Sequence, residues 1–408
     1  MRPLTVSWAK GMIPVANKPI LSYIVDALKG SGILDIVMVV GYKKERVMSH
    51  FGDGSDFGVN IEYVVQRSPT GTAHAVLTAR KNVDGDFLVM PGDNLISQQG
   101  IQSLLDVKKG DAAVLFTRSN TPSKYGVIGI EGDRVSSIVE KPKISGALTT
   151  SGIPSMMSLA MWEDREKTLS DLISTGIYRF NPEVFKIIED LKEEGESKLT
   201  NVLQTMIDCN MNVQAVQTDS WVDAVYPWDL LKVNSTALTF AQVQKAGTVQ
   251  DGVTIMGRVG IGKDTIIKSG SYIEGPVVVG ENCELGPNVH VAGPSAIGEN
   301  VTIGPFTTIQ NSILMNDVQI GPGATIMNSV IAPGTRIGAN FCIQKGGATV
   351  QLSGENPLTV SDIGAIIGED CLIGQNVVAT PGTIVGAGCS VNSLRILREN
   401  LPDGSKVV

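Results

Sequence analysis

Among the side chains able to do chemistry, this sequence offers few nucleophiles and several well-placed oxygen and amide groups. Its histidines are His50, His74 and His290, and its five cysteines, at 209, 283, 342, 371 and 389, form no Cys-x-x-Cys pair. That is neither a zinc framework nor a disulfide scaffold. Asp93 closes the run Leu88-Val89-Met90-Pro91-Gly92-Asp93. An aspartate just after an apolar strand stands where a doubly wound sheet can present oxygen ligands to a divalent cation, although Gly-Asp-Asn is also an ordinary turn sequence. Gln66 precedes Gly71 by a short loop. An amide supplies both a donor and an acceptor, and glycine allows close approach to the backbone. His74 falls on the first turn of an expected helix and reads as an ordinary helix residue, and His50 reads as surface.

The elements that would carry these residues lie in the first 230 positions, where apolar runs alternate with helical spacing. Ile36-Val37-Met38-Val39-Val40 ends at Gly41 and fits a buried parallel strand. Before it, Leu21, Ile24, Val25 and Leu28 have helical spacing, and Gly30 and Gly32 can stop that helix. Further strands are expected at Ile61–Val65, Phe87–Met90 and Ala112–Phe116. Strands alternating with helices imply a doubly wound α/β sheet, which binds ligands beyond the carboxyl ends of its strands.

The composition divides the chain. It has 408 residues, 42% hydrophobic and 18% charged, with 33 basic and 41 acidic side chains. The acidic balance argues against a nucleic-acid footprint. No apolar stretch reaches the roughly 18 residues of a membrane span, and no secretory signal opens the sequence, so a cytoplasmic location is expected. Of its 45 glycines, 25 lie after residue 250, whereas Trp8, Trp162, Trp221 and Trp228 all lie before residue 230.

The glycine-rich part is repetitive. Steps of six from Ile261 reach Ile267, Ile273, Val279, Leu285, Val291, Ile297, Ile303 and Ile309, all aliphatic. One inward aliphatic residue per short face, with glycine or asparagine at the corners, builds a narrow parallel coil. The register slips after Ile309. It returns at Ile320, Ile326, Ile331, Ile337 and Ile343, and again at Ile367, Ile373, Ala379, Val385 and Val391. Residues 344–366, with Gly346, Gly347 and Gly354, read as a loop excursion, either functional or a plain insertion. The pattern resembles the left-handed β-helix of hexapeptide-repeat proteins, which commonly trimerise. The resemblance therefore implies a homo-oligomer of three or more copies. Some members transfer acyl groups with a histidine base. Here His290 lies well before the excursion, and Met327–Ala332 and Thr359–Ile363 depart from the pattern of acetylating relatives, which counts against acetyl transfer.

Seven fragments stand in one order: Met12-Ile13-Pro14-Val15-Ala16-Asn17-Lys18-Pro19, Gln66 with Gly71-Thr72-Ala73, Pro91-Gly92-Asp93-Asn94, Tyr125-Gly126-Val127, Val139-Glu140-Lys141-Pro142, Thr175-Gly176-Ile177-Tyr178, and Trp221-Val222-Asp223 with Pro227-Trp228-Asp229. Together, ahead of a hexapeptide β-helix, they resemble the nucleoside-triphosphate:sugar-1-phosphate nucleotidyltransferases, closest to the long archaeal glucose-1-phosphate thymidylyl- or uridylyltransferase type. The resemblance implies an α/β domain over 1–232, a linker over 233–250 and a left-handed β-helix over 251–408. It also implies Mg²⁺ as cofactor, with a nucleoside triphosphate (dTTP or UTP) and a hexose 1-phosphate as substrates. Asp93 and Asp223 would hold the metal, Lys10 would face phosphate, and Gln66, Gly71 and Thr72 would meet the nucleotide. Gly126, Glu140, Lys141 and Thr175 would hold the sugar phosphate. Ser174-Thr175-Gly176 replaces the family's more usual Asn-x-Gly, so an N-acetylated and a plain hexose both stay open.

The family's strongest motif, a strand followed by a Gly-x-Gly-Thr-Arg loop that cradles the triphosphate, is not in this sequence, which opens Met1-Arg2-Pro3-Leu4-Thr5. Lys10 sits in Ala9-Lys10-Gly11 where the family has prolines, and Gly11 is expected to loosen that backbone. The polypeptide is therefore expected to have little nucleotidyl transfer activity, and the missing strand to strip hydrogen bonds from two neighbours. Truncation and degeneration are both open, as is a non-catalytic regulatory or assembly subunit that binds nucleotide-sugar.

Overall fold

The computed structural model describes residues 1–68, 70–142, 170–193, 198–241, 243–352 and 356–408. The chain folds as two compact units that are not consecutive in sequence: Met1–Ile24 with Gly92–Leu95 and Val222–Val408, and Val25–Pro91 with Ile96–Trp221. Position 232 lies inside the helix Asp229–Phe240, which belongs wholly to the first unit.

In the first unit a parallel β-helix runs through three sheets of nine, eight and seven strands. The hexapeptide positions point inward and stack by coil. Ile261 pairs with Val279, Val279 with Ile297, and Ile297 with Leu314. Ile261 through Ile309 at steps of six are all buried in one core. The slip after Ile309 has a local cause. The first corners of that face use Gly275-Pro276 and Gly293-Pro294, each followed by a three-residue strand; the next use Asn311-Ser312 and Asn328-Ser329, followed by strands of two. The corner is one residue tighter, so the inward residue is Leu314, and Ile309 to Leu314 is a step of five. Asn311 and Asn328 take φ of 44° and 48°, a left-handed geometry asparagine tolerates, and their side chains bond at 3.0 Å. The excursion is not a bare loop: Gly346–Val350 and Leu358–Ile363 form an antiparallel pair, with Gly354 outside the described residues.

A second buried column precedes each hexapeptide position by two residues. On the nine-stranded sheet it holds small side chains, Thr265, Cys283, Val301, Val318, Thr335, Cys371 and Cys389; on the eight-stranded sheet the equivalent column holds Ala324 and Val377 with Phe341 as its large member. The hydroxyls and thiols here satisfy corner carbonyls of the next coil: Thr265 Oγ1 donates to Gly280 O at 2.7 Å and Thr335 Oγ1 to Gly368 O at 2.8 Å. Cys283 and Cys371 do the same through sulfur, to Gly298 O and Gly386 O.

The outward face of one β-helix sheet is itself apolar. Ile313, Val330, Ile366 and Ile384 share a buried cluster with Leu4, Ile13, Val15 and Ile20 and with Leu230, Val233 and Ala237. Each large side chain so covered contributes about 1.5–3 kcal/mol relative to exposure. Residues 1–20 are thus pinned by burial, and also by Ala16 N donating to Asn234 Oδ1 at 2.8 Å and Asn17 Nδ2 to Ile297 O at 2.6 Å. Ala16 and Asn17, both at positive φ, make the two-residue turn between Pro14–Val15 and Lys18–Pro19.

The second unit contains a six-stranded sheet in the order Phe87–Val89, Leu172–Phe180, Ala112–Arg118, Val213–Gln217, Arg134–Glu140, Gly126–Glu131. The sheet is mixed: only Ala112–Arg118 with Val213–Gln217 is parallel. Helices Thr72–Thr78, Val184–Glu193 and Leu199–Asp208 contribute to the core against it. Asp35–Val40 and Asn60–Val65 pair separately as a parallel two-stranded sheet. Among the described residues Asp35–Val40 has that one strand partner, and Phe87–Val89 pairs only with Leu172–Phe180.

Candidate active site

The expected site residues fall into two groups, one in each unit. In the first unit, Lys10 starts the short 3₁₀ turn Lys10–Met12, and Asp93 directly precedes strand Asn94–Ile96. Lys10 Nζ lies 2.5 Å from Asp93 Oδ2, and both side chains are about one-third exposed, at 33% and 31%. What allows this approach is Gly11. A Cβ built there would sit 2.2 Å from the carbonyl oxygen of Gly92, so any side chain would push the Lys10 turn off the Asp93 turn. The expectation that Gly11 loosens the backbone is corrected accordingly: it is the contact point of two backbones.

Asp223 ends strand Trp221–Asp223, which pairs with Asn94–Ile96, so the two aspartates border one small sheet. Asn94, 1% exposed, has its Oδ1 buried without a hydrogen-bond partner among the described residues. No group of three or more His, Cys, Asp or Glu side chains among the described residues forms a metal cage. Two carboxylates without a cage suit a cation that completes its shell with water and substrate phosphate.

The second unit carries the other residues. Gly71 has φ of 141°, a conformation that favours glycine, and precedes helix Thr72–Thr78. Gln66 Nε2 donates to Gly71 O at 3.2 Å and lies 3.0 Å from His74 Nδ1. Thr72 Oγ1 accepts from Leu199 N at 3.0 Å, tying this helix to the start of Leu199–Asp208. Gly126 and Glu140 face each other across the Gly126–Glu131 and Arg134–Glu140 hairpin. A Cβ on Gly126 would come within 3.1 Å of Thr200 and 3.6 Å of the Glu140 carboxylate, so glycine keeps that carboxylate uncovered. Lys198 Nζ stands 3.6 Å from Glu140 Oε1. Lys141 takes a positive φ of 41° with its N–H donated to Tyr125 O. Thr175 is buried and donates to Leu115 O at 2.7 Å, so its hydroxyl fixes the bulged strand Leu172–Phe180. Next to it Ser174 Oγ and Tyr178 Oη are 2.9 Å apart. Burial pushes the Tyr178 hydroxyl up to about 12, with the Glu140 charge adding to the rise.

Sequence reasoning missed His74 as a partner of Gln66, and Lys198 and Tyr178 as neighbours of Glu140. The helical start after Gly71 carried the only local signal, since it returns position 74 towards the strand end at 66. His290 points outward, edge-on to Tyr272 at 5.6 Å.

The first unit thus holds a lysine–carboxylate pair with a second carboxylate bordering the same small sheet, and the second unit holds an amide beside a constrained glycine. A family model for the nucleotidyl transferases matches residues 1–239 and one for the GMPPB C-terminal domain matches 273–361. The chain belongs to the nucleotidyl transferase family. It is 31% identical over 271 residues to the low-salt glycan biosynthesis nucleotidyltransferase Agl11 of Haloferax volcanii, covering 64% of this chain and 70% of that protein. It is 35% identical over 406 residues to the bifunctional protein GlmU of Methanococcus maripaludis, covering 96% and 91%. It is 32% identical over 272 residues to the glucose-1-phosphate thymidylyltransferase of Streptomyces antibioticus, covering 64% and 70%. No helix among the described residues is long and apolar enough to cross a membrane.

Proposed function

We propose that the chain handles nucleotidyl transfer from dTTP or UTP to a hexose 1-phosphate, giving a nucleotide-sugar and pyrophosphate. A sugar-phosphate oxygen attacks the α-phosphorus, the bond to the bridging oxygen breaks, and pyrophosphate leaves with its electron pair. Such a reaction needs two polyanions positioned and their growing charge neutralised, with little covalent work by the protein. The observation that carries the reading is the Lys10–Asp93 pair: a cation held at a strand end beside a carboxylate, ready to turn to phosphate. Asp93 and Asp223 would hold Mg²⁺, which would offset the phosphate charge. Gln66, Gly71 and Thr72 take the nucleotide, Glu140 accepts sugar hydroxyls within the pocket of Gly126 and Thr175, and Lys141 faces the sugar phosphate. The work proceeds in a homo-oligomer of at least three copies, which light scattering tests directly.

The 408 residues contain no Gly-x-Gly-Thr-Arg stretch, and the test asks what such a loop adds. The test is pyrophosphate release with Mg²⁺, glucose 1-phosphate and either nucleotide. It compares this chain with one extended at its N-terminus by a strand and a Gly-x-Gly-Thr-Arg loop. The extended chain should be faster by about a hundredfold or more, and Lys10→Ala within it should lose roughly that factor. An extended chain that releases no pyrophosphate while binding nucleotide-sugar would overturn catalysis in favour of a regulatory or assembly subunit.

A further inference from the structure

The Gln66 amide carries a restriction that its residue type alone does not. Its nitrogen faces two groups at once, Gly71 O at 3.2 Å and His74 Nδ1 at 3.0 Å. A carbonyl oxygen can only accept, so the atom facing it must be the NH₂ nitrogen, and its two hydrogens are then both committed. One goes to Gly71 and the other to His74, whose Nδ1 accepts in the tautomer that carries its hydrogen on Nε2. Gly71 cannot move to suit a flipped amide: its φ is 141°, and its carbonyl also accepts from Ala75 N at 3.2 Å at the start of the helix. The remaining polar atom of Gln66 is Oε1, a pure acceptor, with no donor on it among the described residues.

We infer that His74 is a positioning residue that locks the Gln66 amide with its oxygen outward, so that the site selects bases presenting a ring N–H. This rests on the reading of Gln66 and Gly71 as the nucleotide-base edge. Uracil, thymine and guanine carry such an N–H. Cytosine and adenine carry a ring nitrogen lone pair at the corresponding place, and would set acceptor against acceptor. A free glutamine could turn over and offer its NH₂ to them instead. A glutamine held by a carbonyl and an imidazole resists that turn, because it would face the Gly71 carbonyl with a second acceptor, and His74 could pair with the turned oxygen only by moving its ring hydrogen to Nδ1. Discrimination therefore comes from a side chain that need not touch the nucleotide.

The experiment is calorimetric titration of the full chain with UTP, dTTP, GTP, CTP and ATP in Mg²⁺, alongside His74→Ala, His74→Asn and Gln66→Leu, each checked for folding by circular dichroism. The wild type should bind the ring N–H nucleotides about tenfold or more tighter than CTP and ATP. His74→Ala should bring the two classes to within about threefold, chiefly by admitting CTP and ATP. His74→Asn, whose Oδ1 can replace Nδ1 as acceptor, should restore the preference. A preference unchanged in His74→Ala, or lost equally in Ala and Asn, overturns the inference, as does a uniform weakening of all five nucleotides. Gln66→Leu separates the two claims. If it weakens binding while His74→Ala keeps the preference, the base edge stands and only the lock fails. If it changes nothing, or if the wild type binds no nucleotide, the base-edge reading fails and the lock with it. The ranking among UTP, dTTP and GTP identifies which ring N–H base the site takes.

Discussion

The β-helix and the Lys10–Asp93 corner lie in the same compact unit and are built by opposite means. In the β-helix one small set of environments recurs from coil to coil, and each buried side chain is flanked above and below by others of its own column. At the corner a cation meets a carboxylate through a single close approach of two backbones, Gly11 to Gly92, with nothing repeated. Repetition makes the first tolerant of small exchanges within a column, and singularity makes the second intolerant of one methyl group.

The comparison can be broken first where the β-helix is least repetitive. Phe341 is the large member of a column otherwise made of small residues, and pairing of Thr325 with Cys342 sets Ala324 beside it. Phe341→Ala should lower the unfolding free energy by about 3–5 kcal/mol in denaturant titrations, through lost burial and the cavity left. Adding Ala324→Val to that variant should recover part of the loss. If Phe341→Ala costs no more than an exposed substitution, the columns do not share their volume and the comparison fails.

Gly11 is the next probe. Gly11→Ala places a Cβ against the Gly92 carbonyl and should cost about 1–3 kcal/mol as overpacking. The diagnostic effect is local: nucleoside triphosphate affinity should fall in step with Lys10→Ala, because the lysine loses its place by Asp93. A Gly11→Ala chain with unchanged midpoint and unchanged triphosphate affinity would show that the corner is as adaptable as the coil.

These contrasts explain what could be read in the sequence. The hexapeptide column was legible because nine positions share one property, aliphatic side chains, at one spacing. The second column was not, because Thr265, Cys283, Val301 and Thr335 share small size and, in most cases, a donor for a corner carbonyl, which hydrophobicity does not register. It also gives the scattered cysteines their role, since Cys283, Cys371 and Cys389 are buried column residues. Leu314 was missed because a corner shortened by one residue looks like loss of period. In the site, strand ends and motif order located Asp93, Gln66 and Glu140. Lys10 was placed by the same motif order, but its pairing with Asp93 rests on a backbone approach, and that of Lys198 with Glu140 on a helix start far along the chain, neither of which a local pattern records.

The smallest effect is confined to alkaline pH and asks whether the second column is as dry as its packing implies. Burial pushes the Cys371 thiol up from 9.0 to about 12, and burial raises Cys283 in the same direction. In the unfolded chain these thiols ionise near pH 9, whereas the folded column still holds their protons. The folded state then binds more protons than the unfolded, so its stability is intact below the unfolded value and falls as pH rises from about 9 towards 12. Cys371→Ala should flatten that fall while leaving Cys283 and Tyr178, whose hydroxyl is also raised by burial, to supply the rest. It should cost about 1 kcal/mol at neutral pH, because the Gly386 carbonyl loses the sulfur 3.1 Å away. Urea titrations at several pH values between 8 and 11 measure the slope. An equal slope in wild type and Cys371→Ala would mean that water reaches this thiol, and that the column is less tightly closed than the hexapeptide column beside it.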